Sequence, residues 1–410
     1  RRAREAARHP EVRSSCRWRS VPLADVVEGT QYGTSVKANE LGLGLPVLRM
    51  NNITYEGAID LAEIKHVELP AEGRERYCVR RGDLLFNRTN SQELVGKMGL
   101  WNRDEQFAFA GYLVRLRVKR DAADPAFVAA WFNTPNMKSV LRTRAKPSIN
   151  MSNISASEVL KFSVPLPPLA EQRRIAEVLD RAEALRAKRR AAIAQLDTLT
   201  QATFLDLFGD PIQNPNGFPA RPMIELIDPH RPISYGILMP GPDQVEGVKY
   251  VRVVDMKDGG IELAGIRKTT EAMSHSFRRS LLKQGDLLMS IRGHVGRLAV
   301  VPPELENANI TQDTARLAIQ GASPVFVREC LRSPGFQYWM AKHTKGVAVR
   351  GINLGDVKLM PVILPPASDQ ERFARQASAV ARLKTAHRAS LAELDALFAS
   401  LQYRAFRGEL

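Results

Sequence analysis

Residues 164–175 read VPLPPLAEQRRI, and residues 362–373 read VILPPASDQERF. At a shift of 198 residues the two stretches meet, proline pair on proline pair. A proline pair cannot continue a strand or sit inside a helix, but it can launch one. Each joint is therefore read as the end of a globular domain and the start of a helix of about 38–40 residues, roughly 57–60 Å long at 1.5 Å per residue. In the first helix a 3-4 stride picks out Ile175, Val178, Ala182, Leu185, Arg189, Ala192, Leu196, Leu199 and Thr203. In the second it picks out Phe373, Gln376, Val380, Leu383, His387, Ser390, Leu394, Leu397 and Leu401. Such a stride predicts two coiled-coil seams. Arg189 and His387, midway along, are either side chains reaching past the seam to water or a polar pair that fixes register.

Upstream of the joints the duplication continues at a shift of 203. It carries QYGT (31–34) onto SYGI (234–237), LRM (48–50) onto VRV (251–253), GDLL (82–85) onto GDLL (285–288), and Ile149-Asn150 onto Ile352-Asn353. A period near 200 is too long for a solenoid unit, so each copy is a domain plus a helix. The division expected is a basic arm without fixed structure at 1–17, a domain at 18–165, a helix at 166–209, a second domain at 210–364 and a last helix at 365–410. The fold class is α+β, with two pseudo-repeated β-rich domains and their helices paired antiparallel. Runs such as LPVLRMNNI (45–53), CVRRGDLLFNRT (78–89) and AFAGYLVRLRV (108–118) read as strands, as do KYVRVVDM (249–256), KQGDLLMSIRG (283–293) and RLAVVP (297–302). Residues 124–145 and 323–343 read as helical stretches broken near Pro135 and Pro334.

The composition is 44% hydrophobic and 25% charged, ordinary for a soluble globular chain. No run of 18 apolar residues offers a transmembrane span, and residues 1–17 lack the apolar centre of a secretory signal. Three scattered cysteines argue for a reducing cytoplasm and against a cysteine-built zinc site. With 59 Lys+Arg against 44 Asp+Glu, the net charge of +15 favours a polyanionic partner.

Two similar domains on paired rigid helices suit an object with two similar parts. Duplex DNA presents equivalent major-groove faces about 34–36 Å apart, within the span of such helices. The first candidate for base contact is the loop after GDLL: Arg88, Asn90 and Lys97 in copy one, with Asn87, Thr89 and Ser91 beside them, and Arg292, His294 and Arg297 in copy two, with Ser290. Arginine suits guanine O6/N7 and asparagine suits adenine N6/N7. Equal candidates are Arg49, Asn51 and Asn52 against Arg252, and the basic loops 142–150 and 345–353, with Arg144, Lys146 and Arg350. An ordinary solvated hairpin competes with each of these readings. Gly82 and Gly285 mark the bend of a structural GDLL turn; Tyr32 and Tyr235 could stack or contact phosphate, but buried structural tyrosines are expected.

No catalytic constellation stands out. G-x-x-x-x-G-K-[ST], G-x-G-x-x-G and H-E-x-x-H are absent. NPNGFP (214–219) reads as a loop, because Asn216-Gly217 breaks the NPP-aromatic pattern of amino-methyltransferases.

The duplicated plan, GDLL at 82–85 and 285–288, and PLPPLAEQRRIAEVLD (165–180) leading into a long helix resemble the specificity (S) subunit of type I restriction–modification systems. The resemblance covers residues 18–410. It implies that each domain is a target recognition domain reading half of an asymmetric bipartite double-stranded DNA site. It implies that the helices after Pro168 and Pro366 form an antiparallel ruler on which two modification subunits dock, joined by restriction subunits with translocase and nuclease activity. S-adenosylmethionine, ATP and Mg would belong to those partners, with no cofactor in this chain and no membrane partner. The second joint departs from the first, with Ser-Asp-Gln-Glu in place of Ala-Glu-Gln-Arg. The competing readings are a methyltransferase or nuclease with an unrecognised active site, and a coiled-coil scaffold that binds no DNA.

Overall fold

The computed structural model describes residues 18–148, 151–257, 259–346 and 350–410. The basic arm and Ile149-Asn150 lie outside them. The chain forms two compact units, one of residues 1–188 with 392–410 and one of residues 189–391.

In the first unit a four-stranded antiparallel sheet has the order Val27–Tyr32, Leu113–Val118, Asp83–Asn87, Met98–Leu100. In the second unit Ser234–Tyr235, Thr314–Leu317, Leu287–Ser290 and Leu298–Val300 repeat that order. A three-stranded sheet is repeated as well. Lys65–Val67, Leu45–Leu48 and Ala108–Phe109 in one unit match Arg267–Thr269, Val248–Val251 and Asn309–Ile310 in the other, and the last pair is parallel in both.

GDLL opens the third strand of each larger sheet. Its glycine sits at φ 94° (Gly82) and 86° (Gly285), the left-handed bend that favours glycine. Its two leucines then point to opposite faces, as alternate residues of a strand must. Leu84 and Leu287 enter the cores shared with the helices, while Leu85 and Leu288 enter separate cores behind the sheet. All four are fully buried, each contributing about 1.5–3 kcal/mol. Because both faces are covered, the strand reads as a continuous apolar run.

Each domain closes on itself. Ser20–Pro22 pairs with Ser163–Pro165, and Ala220–Pro222 pairs with Pro361–Ile363. The proline pairs follow, and the long helices start at once, Leu169–Phe208 and Ala367–Ala405. The strands expected over 45–53 and 249–256 are cut short: each turns at an arginine into a 3-10 helix, Met50–Asn52 and Val253–Asp255. The helical stretches break where proline predicts, giving Pro125–Phe132 and Pro135–Arg144, then Pro324–Arg332 and Pro334–His343.

The long helices pair antiparallel. In the second unit Arg189 Nη1 lies 2.7 Å from His387 Nδ1, Asp197 pairs with Lys384, and Phe204 lies 5.5 Å from Phe373 between ring centroids. A guanidinium only donates, so Nδ1 accepts. Arg189 and His387 are thus a bonded pair and not two side chains reaching separately to water. The seam itself is corrected in part. Leu185, Leu199, Leu383 and Leu397 are 55%, 47%, 53% and 51% exposed, and Gln376 is exposed too. The line of contact uses neighbouring positions instead, including Leu179, Arg186 and Phe204 on the first helix and Ala377, Lys384 and Phe398 on the second. The strict heptad drifts off a straight helix whose ends are fixed by domain cores, at about 20° per heptad.

Candidate nucleic-acid interface

After the buried strand of the larger sheet each domain makes one hairpin. Asn87 N donates to Lys97 O (2.8 Å) and Gly96 N to Asn87 O (2.9 Å). Ser290 N donates to Arg297 O (2.9 Å) and Gly296 N to Ser290 O (3.0 Å). Gly96 and Gly296 share φ values of 89° and 90°, so the two hairpins turn back in the same way.

Each hairpin is bonded to the basic loop that follows the paired short helices of its domain. In copy one Thr89–Asn90 pairs with Met151–Asn153, which pairs in turn with Lys146–Ser148. In copy two Gly293 N donates to Arg350 O (2.9 Å), and Arg292 and Lys345 both bridge to Gly351. The structure therefore joins two groups that are more than fifty residues apart in sequence. Arg88 and Asn90 stand with Lys146, and Arg292 stands with Lys345 and Arg350. Arg144, Lys146, Arg292, His294 and Arg350 are exposed, and Arg88 is half-buried. In copy two Arg292, Gln312, Asp313, Lys345 and Asn353 line an open cleft of about 620 Å³. In copy one the polar atoms Arg49 Nε, Asn87 Oδ1, Arg88 Nε, Thr89 Oγ1 and Asn153 Oδ1 are buried without a hydrogen-bond partner among the described residues. Unsatisfied groups gathered in one place are a mark of a functional surface.

Other candidates change role. Lys97 is buried, and its Nζ donates to Met50 O (2.9 Å) and Ile53 O (2.5 Å), so it holds the 3-10 turn and does not reach the surface. Burial also pulls its pKa below the ordinary lysine value. Arg297 makes the matching bond to Val253 O (3.3 Å) but remains exposed. Arg252 is tied to Asp255 (2.6 Å) and Gly265 O (3.2 Å), and half-buried Arg49 to Glu63 O (3.2 Å). Asn90 is buried, its Oδ1 accepting from Ser91 N (2.9 Å), whereas Asn51 is exposed on its turn. The tyrosine expectation is overturned: Tyr32 and Tyr235 are 42% and 50% exposed. Tyr32 lies under the Arg88 guanidinium, 5.1 Å from carbon to ring centroid, and its hydroxyl accepts from Ala156 N (3.2 Å).

Sequence reasoning missed the buried ions beneath this face. The aspartate of each GDLL is a counter-ion: Asp83 meets Arg117 (2.9 Å), and Asp286 meets Arg231 (2.5 Å). Arg115 and Arg316, opposite Leu85 and Leu288 on equivalent strands, are buried and bond to Cys78 O (2.5 Å) and to Leu281 O and Pro232 O (3.1 and 2.8 Å). Burial pulls both below the ordinary arginine value. Part of the positive charge is therefore internal, and only the recurrence of an arginine in both copies of that strand signalled it.

Residues 17–195 match the family described as the type I restriction modification DNA specificity domain. The type I restriction enzyme EcoBI specificity subunit of Escherichia coli is 30% identical over 295 residues, 64% of this chain and 61% of that protein. Over these residues the chain is similar to the type I restriction–modification specificity subunits. The putative type I restriction enzyme MjaX specificity subunit of Methanocaldococcus jannaschii is 23% identical over 376 residues, 88% of this chain and 86% of the relative. A solved S subunit of a type I restriction–modification system from M. genitalium shares the fold at a TM-score of 0.60 and 12% identity, over 95% of this chain and 96% of that one. A chain from a type I R-M system solved for its complex assembly gives 0.52 at 19% identity, over 96% and 98%. The two solved structures share the fold over nearly the whole chain. Among the described residues no helix is long and apolar enough to cross a membrane.

Proposed function

We propose that this chain is a specificity subunit that reads an asymmetric, bipartite double-stranded DNA target, one half-site per domain, and positions modification subunits on its long helices. The observation that carries the reading is the repeated junction of the hairpin after GDLL with the basic loop of the same domain. It gathers Arg88 and Lys146 in one copy, and Arg292, Lys345 and Arg350 in the other. Cationic side chains on a rigid sheet edge can reach guanine edges and phosphates, and the differing loops would read different bases. Arg49, Asn51, Arg144, Arg252, His294 and Arg297 surround these junctions as supporting contacts, either to phosphate or through the turns they hold.

The exposed leucines support the partner reading. Antiparallel pairing places Leu185 level with Leu397 in the first unit, and Leu199 level with Leu383 in the second. Each unit therefore carries one apolar patch on its helices, suited to one modification subunit. Methyl transfer, with S-adenosylmethionine, and any ATP- and Mg-dependent restriction would lie in those partners.

The test is to express the chain with its cognate modification subunits and map N6-methyladenine across a genome. One motif with two half-sites and a fixed spacer is expected. A heptad inserted between Asp180 and Thr200 lengthens the helix by about 10 Å, and should change the spacer or abolish activity. Methylation by the isolated chain, or a single continuous motif, would overturn the reading.

A further inference from the structure

We infer that each domain also grips the sugar–phosphate backbone of duplex DNA through a basic 3-10 turn beside its exposed tyrosine. This inference rests on the reading of the chain as a DNA reader and adds residues that this reading does not use.

In copy one the turn is Arg74–Tyr77, in copy two Arg278–Ser280. At the shift of 203 that aligns GDLL, Arg76 meets Arg279 and Arg80 meets Lys283, and all four are exposed. The residue before each exposed tyrosine holds the turn. Arg76 Nε donates to Gln31 Oε1 (3.0 Å), and Ser234 Oγ donates to Arg279 O (3.1 Å). In copy one the contacts are continuous: Arg88 lies over Tyr32, Gln31 Nε2 donates to Tyr32 O (2.7 Å), and Arg76 bonds Gln31. A cationic line thus runs from the hairpin that would read bases to the turn.

Charge on the turn is net positive in both copies. Glu75 is neutralised by Arg80 (3.0 Å), leaving Arg74 and Arg76, while copy two has Arg278 where copy one has Glu75. Tyr32 OH accepts from a backbone amide and keeps its own proton to donate to an anionic oxygen. Two guanidinium groups and a phenol in a row, with backbone spacing fixed by a bonded turn, suit successive phosphates and carry no base information. Duplex DNA is favoured over a free anion because the turn continues a face and does not enclose a pocket.

The experiment uses the full chain assembled with its modification subunits. The double variants Arg74→Ala/Arg76→Ala and Arg278→Ala/Arg279→Ala are compared with wild type on cognate duplex, single-base variants and unrelated duplex, at several salt concentrations. A loss of about tenfold on every duplex and a salt slope flattened by one to two units per pair are expected, with the ranking of bases unchanged. Arg76→Lys and Arg279→Lys should keep the slope, and Arg103→Ala, an exposed arginine elsewhere, should change neither quantity. Unchanged affinity and slope in the doubles would overturn the inference, as would a preference altered at one base position. If wild type itself shows no sequence-selective binding, the broader reading fails first and the two failures are told apart.

Discussion

Gln172 Oε1 accepts from Asp124 N at 2.8 Å while its Nε2 donates to Pro167 O at 2.8 Å. Asp124 is the N-cap of a domain helix and Pro167 lies in the joint, so one buried amide fastens the long helix to its domain. The second copy repeats the clasp: Gln370 accepts from Ser323 N (3.1 Å) and donates to Pro365 O (2.9 Å). Gln172→Ala leaves a backbone donor and acceptor buried and unpaired. A loss of about 1–3 kcal/mol is expected in the first unit, read by denaturant unfolding. Gln370→Ala should do the same in the second. A change below half a kilocalorie in both would show that the joint is not held this way.

Lys138 gives a pH signature. Its ammonium is buried against the Tyr55 ring and Tyr55 O, and burial brings its pKa down to about 8 from an ordinary 10.5. Between those values the unfolded chain holds the proton that the folded chain has released, so stability rises with pH across that window. Below about 8 the cost of the buried charge is fully present, and above 10.5 it is gone. The wild-type minus Lys138→Met difference in unfolding free energy should therefore climb between pH 8 and 10.5, by up to about 3 kcal/mol. A flat difference would place the ammonium in water.

The leucine patches make a stoichiometric prediction. Leu185→Glu with Leu397→Glu should remove one modification subunit from the assembled complex, and Leu199→Glu with Leu383→Glu the other. These side chains are half exposed, so the chain's own unfolding should shift little, within about 0.5 kcal/mol. Native mass measurement reads the outcome. Full assembly of both variants would move the docking surface elsewhere.

Arg88→Ala and Arg292→Ala should each relax selectivity at one base position of one half-site. The expected cost on the cognate base is about 1–3 kcal/mol, with the other half-site untouched. Affinities on single-base duplex variants check this. Equal weakening on every sequence would assign both arginines to phosphate.

The duplication, the paired helices and the buried GDLL strands were legible because they rest on apolar patterning and proline placement, which local sequence expresses. The seam was legible only in period. Leu185 and Leu199 satisfy a 3-4 stride yet face outward, since the domain cores rotate each helix onto Leu179 and Phe204. The candidate face was legible in parts and not in assembly. Nothing in the order of residues says that Thr89 pairs with Asn153, or that Lys97 is spent on the carbonyls of Met50 and Ile53. Composition gave the excess of basic residues but could not separate Arg115, locked inside, from Arg76, open to solvent.

Arg189 and His387 occupy equivalent places in the two copies, 198 residues apart, and they touch each other. Two first helices paired in this way would set Arg189 against another Arg189, cation on cation at hydrogen-bond range. Two second helices would set imidazole against imidazole. The mixed pair sets an obligate donor, the guanidinium, against an imidazole nitrogen that accepts. At its centre the duplicated chain is thus chemically asymmetric, and the first helix is a better partner for the second than for a copy of itself.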